Sequence, residues 1–333
     1  DQPSAPRPTP ATIPRSRDHP TRILDSTSGL EVEKLDSLLV VGGGYIGLEL
    51  GTVYASLGTK VTVVEMMDSI LPGADPDLVR PLAKRLDGLF ENIYLKTKAA
   101  DISVQGGKVK VIFEGDVDPR EQFFDKILVA VGRKPNGQGL GLMRTTRAVV
   151  NQKGFIEVDA QRRTAEPTIF AIGDVAGEPM LAHKASHEGR TAVEAIAGHK
   201  VAFEPAAIPA VVFTDPEIAW CGLTEAEAKA SGRKVTVARF PWAASGRAMT
   251  LDRLDGITKL IVDPESERIL GVGICGPGAG ELIAEGVLAV EMAATVKDVD
   301  LTIHAHPTLS ETVMEAAASF FGTSTHIYRP KRG

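Results

Sequence analysis

Two cysteines, Cys221 and Cys275, are all that 333 residues contain. So few exclude a disulfide framework and a four-cysteine zinc site, and they agree with a reducing compartment. Each sits among apolar neighbours, the setting of a buried small hydrophobe rather than of redox chemistry. Long apolar runs are missing too; those present fall far short of a membrane span. Basic charge is not in excess, since the formal net charge is −6 at pH 7, and no basic stripe suggests nucleic acid. The N-terminus has no basic, apolar, small-residue signal pattern, although Asp1 is not expected to be the native start. No His/Cys/Asp cluster has metal-ligand spacing, and no Gly-x-Ser-x-Gly elbow occurs. At this length two or three domains with large cores are expected.

What the chain does have is a glycine turn in a telling place. The stretch Leu38–Glu65 reads LLVVGGGYIGLELGTVYASLGTKVTVVE. An apolar run, Leu38–Val41, ends in Gly42-Gly43-Gly44-Tyr45-Ile46-Gly47; a helical pattern follows, and a second apolar run, Val61–Val64, ends in Glu65. Strand, glycine turn, helix and strand in this order make a glycine fingerprint credible as a dinucleotide site. Gly42 permits the tight turn, Gly44 lets backbone approach a diphosphate, and Gly47 lets the helix lie close on the strand. The helix N-terminus offers N–H groups and a positive dipole end to the phosphates. Glu65 lies 23 residues after Gly42, where an acid accepts hydrogen bonds from a ribose and repels a 2′-phosphate. Met66 and Met67 supply no arginine to bind one. These residues point to NAD rather than NADP.

Around this stretch the chain reads in blocks. Asp1–Pro20 holds six prolines and little apolar periodicity, as a linker or tail does. After Glu65, Leu78, Leu82, Leu86 and Leu89 mark one face of a helix. Asn92–Leu95 is expected as a third parallel strand, Ile102–Phe113 as a hairpin about Gly106-Gly107, and Phe124–Val131 as a buried strand. Gly154–Asp159 is strand-like and Thr168–Asp174 is a further buried strand, with a helix from His183 to about Ala197. These pieces are too few to make a domain. From Ile208 short strands alternate with turns in the antiparallel style, and helices run from about Ala279 to Ala294 and to about Phe320. Between those helices, His306 precedes Pro307 and so sits at a turn or extended position, and Glu311 opens the next helix. Their spacing lets the carboxylate meet one ring nitrogen while the other faces a substrate. From spacing alone, a helix cap beside a surface histidine is the favoured reading.

Seven segments together carry a resemblance: GGGYIGLELG (Gly42–Gly51), VGRKPN (Val131–Asn136), AIGD (Ala171–Asp174), MLAHKA (Met180–Ala185), FTDPEIAW (Phe213–Trp220), FPWAASGRA (Phe240–Ala248) and HAHPTLSE (His304–Glu311). In order and spacing the chain resembles the two-dinucleotide flavoprotein disulfide reductases, from about Ile23 to the C-terminus. The fold this implies is α/β: a linker and return segment (1–36), a Rossmann-like NAD-binding domain (37–150), the C-terminal part of an FAD-binding domain (151–204) and an α+β dimerisation domain (205–333). The activity implied is oxidation of protein-bound dihydrolipoamide to lipoamide, with reduction of NAD⁺ through FAD and a redox disulfide. A mercuric- or glutathione-type reductase is the alternative within the family. Family members begin with an FAD fingerprint and a Cys-x4-Cys pair. Neither is in this sequence, so the chain is expected to be a fragment lacking the first FAD half-domain. As it stands, it is expected to be an NAD-binding and dimerisation module that does not itself hold FAD or oxidise dihydrolipoamide.

The resemblance also implies roles. His306 and Glu311 become the acid/base dyad that deprotonates dihydrolipoamide at the partner subunit's disulfide, hence a homodimer; His304 becomes structural. Asp174 holds the ribityl or pyrophosphate part of FAD, and Met180, Leu181, Ala182 and His183 approach the flavin ring. Read alone, Asp174 is a helix cap. Gly132 and Arg133 close the NAD site, and Glu49 stands near the nicotinamide; read alone, Glu49 is a solvated helix residue. The implied cofactors are FAD and NAD. The implied partners are lipoyl domains of 2-oxo acid dehydrogenase complexes, with no nucleic acid or membrane. The implied compartment is bacterial cytoplasm, or the mitochondrial matrix in a eukaryote.

Overall fold

The structure, a computed structural model, describes residues 9–10, 21–31 and 34–327. Of the expected segment 1–36, residues 1–8, 11–20 and 32–33 lie outside the described residues. The chain divides into two compact units, one of residues 14–130 and 206–333, the other of residues 1–13 and 131–205.

In the larger unit a parallel sheet runs in the order Ile23–Leu24, Lys126–Val129, Ser37–Val41, Lys60–Val64, Asn92–Tyr94. Its middle strands read as near-continuous apolar runs because both faces are covered; Leu38, Leu39, Val40, Val61, Val63, Ile127 and Leu128 are all fully buried. The helix Tyr45–Ser56 returns from one strand to the next and buries Leu48 and Tyr54. Glycine sets how close it lies: a Cβ on Gly47 would stand 2.2 Å from the Gly42 carbonyl oxygen and 2.9 Å from Val40 Cγ1. The helix Pro76–Asp87 starts with proline at its first position, where the missing N–H costs nothing. It buries Leu78, Leu82 and Leu86.

Strands Lys98–Gln105 and Lys108–Glu114 form the expected hairpin, with Gly106 (φ 59°) and Gly107 (φ 80°) in its two-residue turn. The expected strand Phe124–Val131 is instead two. Glu121–Phe124 ends a three-stranded antiparallel sheet, and Lys126–Val129 enters the parallel one. Asp125 makes the joint, because its carboxylate accepts the N–H groups of Asp36 (3.0 Å) and Ser37 (2.9 Å). That anchors the chain to the start of a neighbouring strand and re-aims it there.

Residues 206–333 add a five-stranded antiparallel sheet in the order Ala210–Val212, Ile218–Gly222, Ile269–Cys275, Ile257–Val262, Thr236–Pro241. The helix Ala279–Glu291 packs on its central strands and Glu311–Phe321 on the outer pair. The first of these stops short of Ala294, because Ala293 takes a left-handed conformation at φ 54°. One apolar core joins the two sheets, since Leu78 and Leu82 cluster with Val212, Ile218 and Cys275. No helix among the described residues is long and apolar enough to cross a membrane.

In the smaller unit Thr9–Pro10 pairs with Arg133–Lys134, a turn spans Gly173–Val175, and a helix runs Ala182–Ile196. The expected strands Gly154–Asp159 and Thr168–Asp174 are not strands. Among the described residues each makes one isolated bridge, Val150 with Ile156 and Arg163 with Phe170. An apolar run becomes a strand only where neighbours take its N–H and C=O groups. Here a side chain takes one of them: the fully buried Glu188 accepts the Gly173 N–H at 2.5 Å. Arg162 (2.9 Å) and Lys184 (3.1 Å) neutralise that carboxylate, as burial of a charge requires.

Candidate functional site

The glycine turn has the geometry a diphosphate needs. Gly42 takes φ 111°, a conformation only glycine adopts freely. Gly44 is the N-cap of the helix Tyr45–Ser56, and no side chain caps that helix. Among the described residues a Cβ on Gly44 would meet nothing within 4 Å, so backbone rather than side chain borders the helix mouth. The positive dipole end and the amides of the first turn lie there. Glu65 follows the second strand, and its carboxylate oxygens accept the Gly43 N–H at 2.7 Å and the Met67 N–H at 2.8 Å. The predicted acid is therefore at the turn. An ionised carboxylate has about four acceptor positions, so two are left for ribose hydroxyls. Met66 and Met67 are exposed beside it. These residues fit an unphosphorylated dinucleotide.

Glu49, on the same helix, is not a freely solvated side chain. It is half-buried and accepts the Phe213 N–H at 2.8 Å. Burial pushes its carboxyl above the ordinary range, against the pull of that amide. Gly132 (φ 114°) and Arg133 belong to the smaller unit.

The second constellation lies before the helix Glu311–Phe321. His306 Nδ1 stands 2.9 Å from Glu311 Oε1, and the Thr308 N–H donates to Glu311 Oε2 at 2.7 Å. A carboxylate only accepts, so the neutral ring carries its proton on Nδ1 and its lone pair on Nε2. The imidazole is 73% exposed while Glu311 is 18% exposed, which presents the base outward and its orienting partner inward. Burial alone would raise the Glu311 carboxyl. The Thr308 amide and the His306 ring outweigh that and hold it below its ordinary value. His304 is turned away, held between the Thr302 carbonyl (2.9 Å) and Glu285 (2.7 Å), a bracing position for the loop.

In the smaller unit, Asp174 is half-buried in the turn after Gly173 (φ 74°). Met180, Leu181, Ala182 and His183 lead into the helix Ala182–Ile196, whose N-cap residue Leu181 supplies no side-chain cap. A carboxylate and a helix mouth suit part of a flavin nucleotide. The only G-x-G-x-x-G followed by the strand, helix and acid of a dinucleotide cradle is the one at Gly42; the other, Gly271–Gly276, runs along the strand Ile269–Cys275 of the antiparallel sheet.

Sequence reasoning missed several groups. Lys259, 1% exposed, lies inside the apolar strand Ile257–Val262 and bonds Asp75 (2.6 Å), Asp77 (2.6 Å) and Glu225 (2.8 Å). Burial alone would lower its ammonium, and the three carboxylates hold it above the ordinary value. They group as metal ligands do, but the cation among them is the lysine. Asp75 also accepts the Glu225 and Ala226 N–H groups at 3.0 and 3.2 Å. The one signal in the sequence was a lysine amid apolar strand residues. Thr308 and the Phe213 amide left none, because backbone donors are not written in residue types. Burial pushes the thiols of Cys221 and Cys275 up to about 12. Both are free and protonated at neutral pH.

A fold with this turn and this acid defines a dinucleotide-binding protein, and comparison with known proteins narrows it. Residues 4–189 match the family described as pyridine nucleotide-disulphide oxidoreductase, and residues 208–317 match the dimerisation domain of that name. The chain belongs to the pyridine nucleotide-disulphide oxidoreductase family. It is 49% identical over 314 residues to a dihydrolipoyl dehydrogenase of Vibrio parahaemolyticus, covering 93% of this chain and 65% of that protein. It is 48% identical over 307 residues to a dihydrolipoyl dehydrogenase of Geobacillus stearothermophilus, covering 92% and 65%. The chain thus spans somewhat under two thirds of the length of these relatives. Among solved structures, LpdA of Mycobacterium tuberculosis superposes with a TM-score of 0.86 at 29% identity, covering 94% of this chain and 68% of that one. The flavoprotein disulfide reductase RclA of Escherichia coli superposes at 0.81 and 28% identity, covering 95% and 71%.

Proposed function

We propose that the full-length protein is an NAD-linked dihydrolipoyl dehydrogenase, oxidising protein-bound dihydrolipoamide to lipoamide. Residues 37–150 bind NAD, 151–204 form part of an FAD-binding domain, and 205–333 form the interface of a homodimer. The observation that carries this reading is the His306–Glu311 pair at 2.9 Å with the ring open to solvent. A thiol of ordinary pKa, about 8.5, is a poor nucleophile at neutral pH. His306 Nε2 accepts its proton, and Glu311 holds the ring in the right tautomer and stabilises the imidazolium. Gly42, Gly44 and Gly47 shape the diphosphate site, Glu65 selects the unphosphorylated ribose, and Glu49 serves the nicotinamide end; Gly132 and Arg133 are assigned to the same cofactor. Asp174 and Met180–His183 serve the flavin side. When bound, FAD carries two electrons from a dithiol and NAD⁺ takes them up as a hydride.

Names of relatives at 48–49% identity support this reaction over other disulfide reductions. The match to a dimerisation domain supports a homodimer. Lipoyl domains of 2-oxo acid dehydrogenase complexes are the partners that supply such a substrate, and the bacterial cytoplasm is the compartment. The test is an assay of the full-length protein with dihydrolipoamide and NAD⁺. Formation of NADH is expected; none, with the protein folded and flavin-loaded, overturns the assignment.

A further inference from the structure

Gly43 is the buried residue at the centre of the glycine turn, and both of its backbone groups are taken by the protein. Its carbonyl accepts the Leu71 N–H at 2.9 Å, and its N–H donates to Glu65 Oε2 at 2.7 Å. A Cβ on Gly43 would lie 3.2 Å from Glu65 Cβ and 3.1 Å from Ile70 Cγ2, so the turn rests directly on the Glu65 side chain. Glu65 is fixed in its own right. Its N–H donates to the Tyr94 carbonyl at 2.8 Å, its carbonyl accepts the Thr97 N–H at 2.9 Å, and its second carboxylate oxygen accepts the Met67 N–H at 2.8 Å. The acid expected to meet a ribose is thus already engaged with backbone, and one of its two amide partners belongs to the diphosphate turn.

We propose that Glu65 is a positioning residue for the diphosphate as well as a selector of the ribose: its carboxylate clasps the Gly43 amide and sets the shape of the turn before the nucleotide arrives. This rests on the nucleotide site proposed above. Amide bonds to a carboxylate are the stronger, charge-assisted kind, and a turn already formed spares the ligand the cost of ordering it. The clasp also constrains specificity. An arginine or lysine that could bind a 2′-phosphate has no acceptor, so exchanging Glu65 for one removes the clasp along with the repulsion. Cofactor preference is therefore not reversible at this position alone.

The test titrates the 333-residue chain with NAD⁺ and with its analogue lacking both adenosine ribose hydroxyls, using wild type, Glu65→Ala and Glu65→Arg. Both variants are expected to lose about tenfold or more in affinity for both ligands, and Glu65→Arg is not expected to gain affinity for NADP⁺. Unchanged affinity of Glu65→Ala for the dideoxy analogue would overturn the clasp, leaving Glu65 a ribose contact only. Gain of NADP⁺ binding by Glu65→Arg would overturn the constraint on specificity. Absence of any binding to wild type refutes the nucleotide site itself, and a ligand-free arm then decides the clasp. Amide hydrogen exchange at Gly43 is expected to quicken about tenfold or more in Glu65→Ala, while Glu65→Gln, whose amide oxygen keeps one acceptor, falls between. Equal exchange in wild type and both variants overturns it.

Discussion

Glu65 and Glu311 sit in different parts of the larger unit and begin from the same chemistry. Each is a half-buried glutamate that gives one carboxylate oxygen to a backbone amide close by in sequence, Met67 for one and Thr308 for the other. They part at the second oxygen. Glu65 spends it on the amide of buried Gly43, Glu311 on the ring of an exposed histidine. An amide does not titrate, so Glu65 is a fixed acceptor, suited to the turn-shaping and hydroxyl recognition proposed for it. An imidazole does, so Glu311 orients a group that can take up and release a proton. One residue type suits recognition in one place and proton transfer in the other, and its partner decides which.

Exchanging the partners should break the two sites separately. In the full-length protein His306→Gln is expected to lower dihydrolipoamide turnover by roughly 10²- to 10⁴-fold, the usual worth of a positioned general base, with NAD⁺ affinity unchanged by calorimetry. A turnover near wild type would place the base elsewhere. The buried thiols sharpen the contrast from the other side. With pKa values raised to about 12, Cys221 and Cys275 should react with a thiol reagent at pH 8 about a thousandfold more slowly in the folded than in the unfolded chain, where the pKa is about 8.5. Rapid labelling of the native chain would admit a thiol centre that the fold buries.

Smaller effects follow. Gly47→Val puts a side chain where a Cβ meets the Gly42 oxygen at 2.2 Å. It should cost about 3 kcal/mol in urea unfolding, and the nucleotide site with it. Glu311→Gln should cost least, and its pH dependence has a sign. Because the native Glu311 carboxyl is held below its ordinary value, its stabilisation is present above about pH 4.3, the unfolded value, and is lost as pH falls through the lower folded one. The difference in urea midpoint between wild type and Glu311→Gln should close below that range; a difference that widens there would contradict the hydrogen-bonded carboxylate.

Local patterns were easiest to read from the sequence. The glycine fingerprint, the buried strands either side of it and the Gly106-Gly107 hairpin follow from residue types at short spacing, and each appears where its pattern placed it; the His306–Glu311 contact is there too, but its spacing alone does not tell a dyad from a helix cap beside a surface histidine. What resisted reading depends on partners far along the chain. Phe124–Val131 looks like one strand because nothing local says that Asp125 is tied to Ser37. Thr168–Asp174 has a strand's composition, but its Gly173 amide is taken by Glu188, fifteen residues on. Asp75 sits where a helix cap belongs and instead holds the start of another helix and a buried lysine. Side chains that serve distant backbone carry no periodicity.

The most direct measurement is calorimetric titration of the 333-residue chain with NAD⁺ and, in parallel, with NADP⁺. One NAD⁺ per chain should bind, and NADP⁺ should bind at least about tenfold more weakly, a difference of about 1.4 kcal/mol. No heat with NAD⁺, or equal affinity for the two, would contradict the nucleotide site built on Gly42–Glu65.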